Sequence, residues 1–327
     1  MKKIFIAIVA VAALASCSKN DVTFEQGNEI ALAPVPQSMT KTMMTGPSFL
    51  TTEQFNVWAW YKQLPASTTV AAWQADTSTD QLYIPEKPFS FRENTSWGGV
   101  TPYYWPKLGS LLFAGYYPTD IALKVDYTFD ADENKMVFSE IAQSEVDASD
   151  YKEDIMYFNM TASSSASGPV AVVFKHALSW ITVNVKKSED SPKIVIDEIK
   201  FTDVNPEGTG TVDGDAVISW TTTGTPDATV VATDVELTED SEKLAKEPLF
   251  IPQGMAGDLV ITYTVYSSDD EKFTETYTAA LSSLKDDLDT WEPAKHYIYN
   301  IEIGTSEILI DPTVDAWEDV EVPVTVE

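Results

Sequence analysis

Few side chains in this sequence could do chemistry. The 327-residue chain has one cysteine, Cys17, and two histidines, His176 and His296. A nucleophile needs a base held beside it. Both histidines lie in strand-like runs, FKHALSW and KHYIYN, and no G-x-S-x-G, P-loop or H-E-x-x-H motif accompanies them. Paired carboxylates could hydrolyse a glycosidic bond, but no pair stands out. We therefore interpret the histidines as structural residues near strand ends and expect neither enzymatic activity nor a cofactor.

Cys17 stands directly behind an export signal. Two lysines follow Met1, residues 4–15 are all apolar, and Ser16 precedes the cysteine. A charged start, an apolar run and a small-residue cleavage site define a signal peptide, so we predict that residues 1–16 are removed between Ser16 and Cys17. The apolar run is too short to span a bilayer, which needs about 20 residues.

The run Leu-Ala-Ser-Cys that ends at Cys17 resembles the lipobox of bacterial lipoproteins. The resemblance implies that the Cys17 thiol receives a diacylglycerol and that the new amino terminus receives a further acyl chain. Two or more acyl chains hold a protein on a membrane stably, whereas one anchors only marginally. The alternative is an ordinary secretory signal with a cysteine at this position by chance. We expect a mature protein tethered outside the cytoplasm.

The charge balance restricts the partners. The chain has 51 acidic and 21 basic residues, a formal net charge of −30, and a single arginine, Arg92. Nucleic-acid binding depends on cationic contacts to phosphates, so we expect no nucleic-acid partner. The acidic clusters are interpreted as a solvated surface; a calcium loop is the alternative, but the spaced D-x-[DN]-x-[DN]-G pattern is lacking. The clusters are Asp147, Asp150, Glu153 and Asp154; Asp269, Asp270 and Glu271; and Asp286, Asp287 and Asp289.

The elements that must position any site are predicted to be strands. Aromatic or alternating runs such as Phe55–Tyr61, Leu111–Tyr117 and Ile181–Val185 are separated by Gly, Pro and Asp turn signals. Short strands at this spacing are typical of β-sandwiches, so we predict an all-β fold. The polar run Lys186–Pro192 predicts a domain boundary. The predicted segments are the signal peptide 1–16, a tether with an N-terminal strand 17–42, a β-sandwich 43–188 and a second β-sandwich 189–327.

Aromatic residues crowd the first half of the chain. Exposed aromatic rings stack on sugar faces, so a glycan-binding surface is one interpretation. The other is core packing, because large rings contribute most to the burial of a β-sandwich core. The residues concerned are Trp58, Trp60, Trp73, Trp97, Tyr103, Tyr104 and Trp105.

Four segments together resemble the fimbrillins, which are type V pilins and fimbrillin-like lipoproteins of Bacteroidales. They are TPYYWPKLGSLLFAGYYP (101–118), FKHALSWITVNVK (174–186), PLFIPQ (248–253) and WEPAKHYIYNIEIGTSEILIDPTVDAW (291–317). In the last segment, Pro293 and Ala294 stand where the family usually has a glycine. The resemblance implies two transthyretin-like β-sandwich domains in series.

The resemblance also implies an assembly mechanism. A trypsin-like protease removes an N-terminal segment that contains a β-strand, and a strand donated by a neighbouring subunit fills the open groove. The candidate cleavage bond here is Lys41–Thr42, although arginine is more usual in the family. The strand removed would be Glu29–Pro34 (EIALAP).

The candidate donor strand lies at the C-terminal end, residues 320–326. Val320, Val322, Val324 and Val326 alternate with Glu321, Pro323 and Thr325, so four β-branched residues share one face. The alternative is that this segment is the last strand of its own sandwich.

Two functions remain open from the sequence. The first is a structural subunit of a cell-surface fimbria that supports adhesion, as shaft, anchor or tip, with other pilin subunits as partners in a homo- or hetero-polymer. The second is a surface lipoprotein that does not polymerise and binds a glycan or host ligand. Both imply a location at the cell outer membrane through the lipid anchor.

Overall fold

Most of the described chain is β-strand, which confirms the all-β prediction. A computed structural model describes residues 28–36, 51–92, 96–119, 124–128, 135–142, 154–163, 168–244, 246–267, 272–304 and 308–316. Helix α1 spans Val70–Ala75, and a short 3-10 helix spans Leu281–Ser283. The strands are β1 (Leu32–Pro36), β2 (Gln54–Lys62), β3 (Gln81–Phe91), β4 (Trp97–Gly99), β5 (Ser110–Tyr117), β6 (Lys124–Thr128), β7 (Lys135–Ala142), β8 (Met156–Ala162), β9 (Val170–His176), β10 (Ser179–Lys187), β11 (Lys193–Val204), β12 (Glu207–Val212), β13 (Ile218–Thr223), β14 (Asp227–Glu236), β15 (Glu242–Lys243), β16 (Leu249–Phe250), β17 (Gln253–Gly254), β18 (Asp258–Tyr266), β19 (Lys272–Ala280), β20 (Thr290–Trp291), β21 (Lys295–Ile303) and β22 (Ile308–Ala316).

Seven strands close into a barrel in the order β1-β4-β3-β2-β5-β8-β9. The sheet closes because β1 pairs with both β4 and β9. A second sheet, β13-β12-β7-β6, lies outside the barrel, where its residues Met136, Phe138 and Ile141 share a core cluster with β2 and β5.

The continuous apolar runs of β2 and β5 follow from this layering. In β5, Leu111, Phe113 and Tyr117 belong to the core inside the barrel, whereas Leu112, Ala114 and Tyr116 belong to the core beneath the second sheet. A strand buried on both faces has no reason to alternate apolar and polar residues. Gly115 is required because a Cβ there would lie 2.3 Å from the ring of Phe158.

The described C-terminal part of the chain contains two larger sheets and a two-stranded sheet, β17-β20. One larger sheet has the order β15-β10-β21-β22, with β16 also paired to β10, and the other has the order β14-β11-β18-β19. Strands β10 and β21 are parallel from the Ser179–Lys295 pair to the Lys187–Ile303 pair. Alternate residues of these strands, such as Val183 and Tyr299, enter a shared core, as the period-two pattern predicts.

Strands from before and after residue 188 pair with each other in two of the sheets. Strand β10, before it, pairs with β21, and strand β12, after it, pairs with β7. The predicted boundary at this position and the arrangement as two transthyretin-like sandwiches in series stay predictions. Among the described residues, no helix is long and apolar enough to cross a membrane.

Candidate functional site

The sequence-predicted sites at the two ends of the chain fall outside the described residues. These are Ser16 and Cys17 at the signal cleavage and lipidation site, Lys41 and Thr42 at the candidate cleavage bond, and Val320, Val322, Val324 and Val326 in the candidate donor strand. The structure does describe the N-terminal strand that lies before Lys41, and its surroundings define the candidate site.

Strand β1 is inserted between two strands that are distant in sequence. It runs parallel to β9 over five residue pairs, from Leu32–Val170 to Pro36–Phe174. On its other side it meets β4 in one pair, Leu32–Trp97. An isolated bridge, Glu29–Tyr104, extends the contact toward the chain start. The strand thus fills a gap that its neighbours β4 and β9 do not bridge themselves.

The backbone hydrogen bonds of this segment alternate between its two sides. The N–H of Ile30 donates to the carbonyl of Tyr103 at 2.7 Å, and the N–H of Trp105 donates to the carbonyl of Asn28 at 3.0 Å. On the opposite side, the N–H of Val170 donates to the carbonyl of Ala31 at 2.9 Å. Even-numbered residues therefore direct their backbone groups toward residues 103–105 and β4, and odd-numbered residues direct theirs toward β9.

The side chains of the segment alternate as well. Ile30 and Leu32 are 1% and 0% exposed, and Pro34 is buried. Glu29 is exposed, whereas Ala31 and Ala33 are half-buried. Ile30 and Leu32 belong to the core cluster inside the barrel. Full burial of such a side chain contributes about 1.5–3 kcal/mol, so this segment is a substantial part of the barrel core.

Arg92, the only arginine in the chain, lies at the edge of this site. Its Nη2 is 3.9 Å from Oε1 of Glu29, and the same nitrogen donates a hydrogen bond to the carbonyl of Gly99. The side chains of Arg92 and Glu29 are 40% and 44% exposed. An ion pair this exposed adds at most about 1 kcal/mol, so burial rather than charge holds β1 in place.

Loss of β1 would open a groove with two unpaired edges. Strands β4 and β9 would present free backbone N–H and C=O groups, which is the condition for pairing with another strand. The core residues Trp97, Val172 and Phe174 would lose β1 as a neighbour within their cluster. The arrangement can therefore accept an extended segment with apolar residues at every second position.

The N-terminal strand is displaced relative to its predicted position. The resemblance implied a removable strand at Glu29–Pro34, whereas β1 spans Leu32–Pro36 with a separate bridge at Glu29. Its partners β4 and β9 could not be identified from the sequence. The alternation of Ile30, Leu32 and Pro34 is the signal that was available.

The aromatic residues considered for sugar stacking lie in the cores. Exposure is 8% or less for Trp58, Trp60, Trp73, Trp97 and Trp105. Tyr103 and Tyr104 are half-buried. The core-packing interpretation is therefore confirmed for the five tryptophans, and they do not form an exposed sugar platform.

His176 forms a buried pair with Asp154. Its Nδ1 is 3.0 Å and 2.9 Å from the two carboxylate oxygens, and the side chains are 3% and 0% exposed. The pair joins the end of β9 to the residues before β8, where the N–H of Ala177 also donates to the carbonyl of Ile155. This geometry fits the structural role predicted for the histidine.

We expect His176→Ala to lower the free energy of unfolding by about 3–5 kcal/mol, because it breaks a buried pair and leaves the carboxyl group of Asp154 without this partner. The matched control is Lys186→Ala, which breaks the ion pair with Glu302 whose side chains are 40% and 30% exposed. That change should cost less than about 1 kcal/mol. Urea denaturation measures both values, and equal losses would contradict the buried-pair interpretation.

His296 lies in a different hydrogen-bonded cluster. Its ring stacks on Trp180 with centroids 3.6 Å apart, and its Nε2 is 2.8 Å from Oγ1 of Thr182. Thr182 donates to Oε1 of the buried Glu247 at 2.6 Å. Burial, followed by the charge of Lys243, lowers the pKa of His296 to about 3. Since a general base works best with a pKa near the working pH, this neutral ring fits a structural role.

Metal binding has no support within the described part of the chain, where no group of three or more His, Cys, Asp and Glu residues is placed to hold an ion.

Comparison with known families covers nearly the whole chain. The fimbrillin-like family model matches residues 19–317, and the model of the prokaryotic membrane lipoprotein lipid attachment site matches residues 1–18. Cys17 falls within the second match. A search of curated protein sequences finds no match.

Solved structures share the fold. A fimbrial protein from Bacteroides vulgatus superposes with a TM-score of 0.56 at 14% identity, covering 89% of this chain and 100% of that one. A candidate cell adhesion protein from Bacteroides uniformis gives 0.55 at 18% identity, with 88% and 99% covered. Another from Bacteroides ovatus gives 0.55 at 14%, with 91% and 100% covered. At these identities, the likeness shows a common fold.

Proposed function

Because the chain belongs to the fimbrillin-like family, we propose that it is a structural subunit of a cell-surface fimbria, supports adhesion and assembles by donor-strand exchange. The observation that carries this proposal is the insertion of β1 between β4 and β9. A segment near the chain start completes the barrel, and a strand from another subunit with the same alternation could take its place. The fimbrial and adhesion descriptions of proteins with this fold support the same role.

The lipid anchor is the first step in this proposal. Acylation of Cys17 tethers the precursor to the outer membrane after removal of residues 1–16, as the match to a lipid attachment site supports. The tether keeps subunits at the surface where they assemble. A subunit that retains Cys17 serves as the anchor, and a subunit that loses it enters the shaft.

Cleavage is the second step. A trypsin-like protease cuts between Lys41 and Thr42, and β1 then belongs to a peptide that is no longer covalently linked to the rest of the subunit. The peptide stays in the groove only by non-covalent contacts, namely the ladder with β9, the short contacts with β4 and the burial of Ile30, Leu32 and Pro34. It can therefore exchange with another strand.

Strand donation is the third step. In β1 and the bridge before it, the side chains of residues 30, 32 and 34 are buried. In the C-terminal segment, valines occupy positions 320, 322, 324 and 326, which have the same spacing of two residues. Valine suits an extended backbone. The partner is another pilin subunit, either a second copy of this chain or a different subunit with such a tail.

We expect Lys41→Ala to block maturation at this bond and to suppress fibre formation, because the tethered β1 keeps the groove filled. Lys41→Arg is the matched control, since a trypsin-like protease accepts either basic residue, and it should assemble as the natural chain does. N-terminal sequencing and electron microscopy of surface-extracted protein measure both effects.

Three outcomes of that sequencing separate the roles. A terminus at Thr42 supports a shaft subunit, and a blocked, acylated Cys17 in fibre preparations supports an anchor. Acylated Cys17 with no fibres at all would contradict the proposal and favour a lipoprotein that binds a glycan or host ligand. Wild-type fibre yields from Lys41→Ala, with residues before 42 retained, would contradict the cleavage step.

A further inference from the structure

We infer that the donated tail enters the groove in the direction opposite to β1, so that it runs antiparallel to β9. This inference rests on the proposed function and concerns the polarity of the same site. Proline has no backbone N–H, so each proline in β1 or in the tail removes one hydrogen-bond donor. The inference rests on which neighbouring strand faces that missing donor.

In β1, the prolines occupy positions that face away from the long ladder. Pro34 and Pro36 are even-numbered, and even-numbered residues direct their backbone groups away from β9, as the hydrogen bonds of Asn28 and Ile30 to Trp105 and Tyr103 show. The described residues of β4 pair with β1 only at Leu32. The missing N–H groups of both prolines therefore face away from β9, where the five-pair ladder lies.

In β1, Pro34 is at an inward position, whereas in the tail Pro323 lies between the valines, at an outward position. The valines of the tail must point into the core, so Glu321, Pro323 and Thr325 point outward. In β1, the residues with this outward orientation direct their backbone groups toward β9, as Ala31 does toward Val170. If the tail ran in the direction of β1, Pro323 would interrupt the ladder with β9.

Reversal of the tail removes this conflict. Rotating a strand by half a turn about an axis perpendicular to the sheet keeps the same side chains inward but exchanges its two hydrogen-bonding edges. Pro323 then faces β4, the side on which the described pairing of β1 is short. Since a lost ladder bond leaves a carbonyl unpaired, the reversed orientation should be favoured by about tenfold or more in the binding equilibrium.

Charge does not decide the polarity. Glu29 lies just before the first inward residue and contacts Arg92. The valine run of the tail has an acidic residue at each end, Asp319 and Glu327. Either direction of the tail can therefore place a carboxylate near Arg92. The position of Pro323 is the feature that distinguishes the two directions.

Disulfide cross-linking between subunits tests this inference. Two outward positions on β9 are replaced in turn, Ala171→Cys or Val173→Cys, each combined with Glu321→Cys or Thr325→Cys in the tail. Both β9 side chains are exposed. The natural Cys17 lies before Lys41, so a cleaved chain has no other cysteine. Fibres are oxidised, and covalent ladders are quantified on denaturing gels against single-cysteine controls.

For an antiparallel tail, position 321 should cross-link at least about tenfold more with 173 than with 171, as the energetic preference above suggests. Position 325 should show the reverse preference. The opposite pattern would overturn the inferred polarity while leaving the proposed function intact. Fibres in which none of the four pairs cross-links would overturn the placement of the tail beside β9, and cleaved subunits that never polymerise would contradict the proposed function itself.

Discussion

The double substitution Val322→Asp and Val324→Asp should abolish fibres and leave the isolated subunit folded. Both positions are inward in the proposed donor strand, so each variant carboxylate would enter an apolar groove that completes the core of the neighbouring barrel. Transfer of an unpaired charge into such a site costs several kcal/mol. Two of them should weaken association by more than about a thousandfold, at about 1.4 kcal/mol for each factor of ten.

The control for this experiment is Thr325→Asp, which adds one carboxylate at an outward position of the tail and should leave assembly nearly unchanged. Fibre yield is measured by electron microscopy, and monomer stability by urea denaturation. If the doubly substituted monomer unfolds, the tail is the last strand of its own sandwich, which was the alternative drawn from the sequence.

The substitution Leu32→Asp should release the N-terminal strand from the precursor. Leu32 has 0% exposure and pairs with both Trp97 of β4 and Val170 of β9. Truncation of a buried leucine alone costs about 2–5 kcal/mol, and a buried carboxylate adds to that cost. We expect residues 28–36 to become protease-sensitive and the free energy of unfolding to fall by about 3 kcal/mol or more.

Ala33→Asp provides the matched control, because Ala33 is half-buried on the outward face of the same strand and a surface change there should cost less than about 1 kcal/mol. A synthetic peptide of residues 317–327 should restore stability to Leu32→Asp in proportion to its concentration, since a ligand that binds only the folded state stabilises it by mass action. Equal behaviour of the two variants would contradict the docking of Leu32 in the barrel.

Strands with a local signature were predictable from the sequence. The aromatic run Phe55–Tyr61 lies within β2, Leu111–Tyr117 within β5, and the alternating Ile181–Val185 within β10. In each case, consecutive residues of the sequence show directly which positions of the strand are buried.

Strands without such a signature were missed. Strand β3 has an irregular burial pattern, with Pro85 and Pro88 inside it and shifts in its register with β2. Strand β4 has three residues, two of them glycines. The closure of the barrel depends on pairs far apart in the chain, such as Ala33–Ala171. A single sequence carries the alternation of each strand but not the identity of its neighbour, so the candidate groove could not be located in advance.

The most direct test of donor-strand exchange is the structure of the assembled fibre at the groove between β4 and β9, by electron cryomicroscopy. Donor-strand exchange predicts that this groove holds residues 320–326 of a neighbouring subunit, with the four valines inward and residues 29–36 absent. A fibre whose subunits each retain their own Leu32–Pro36 between β4 and β9 would contradict it.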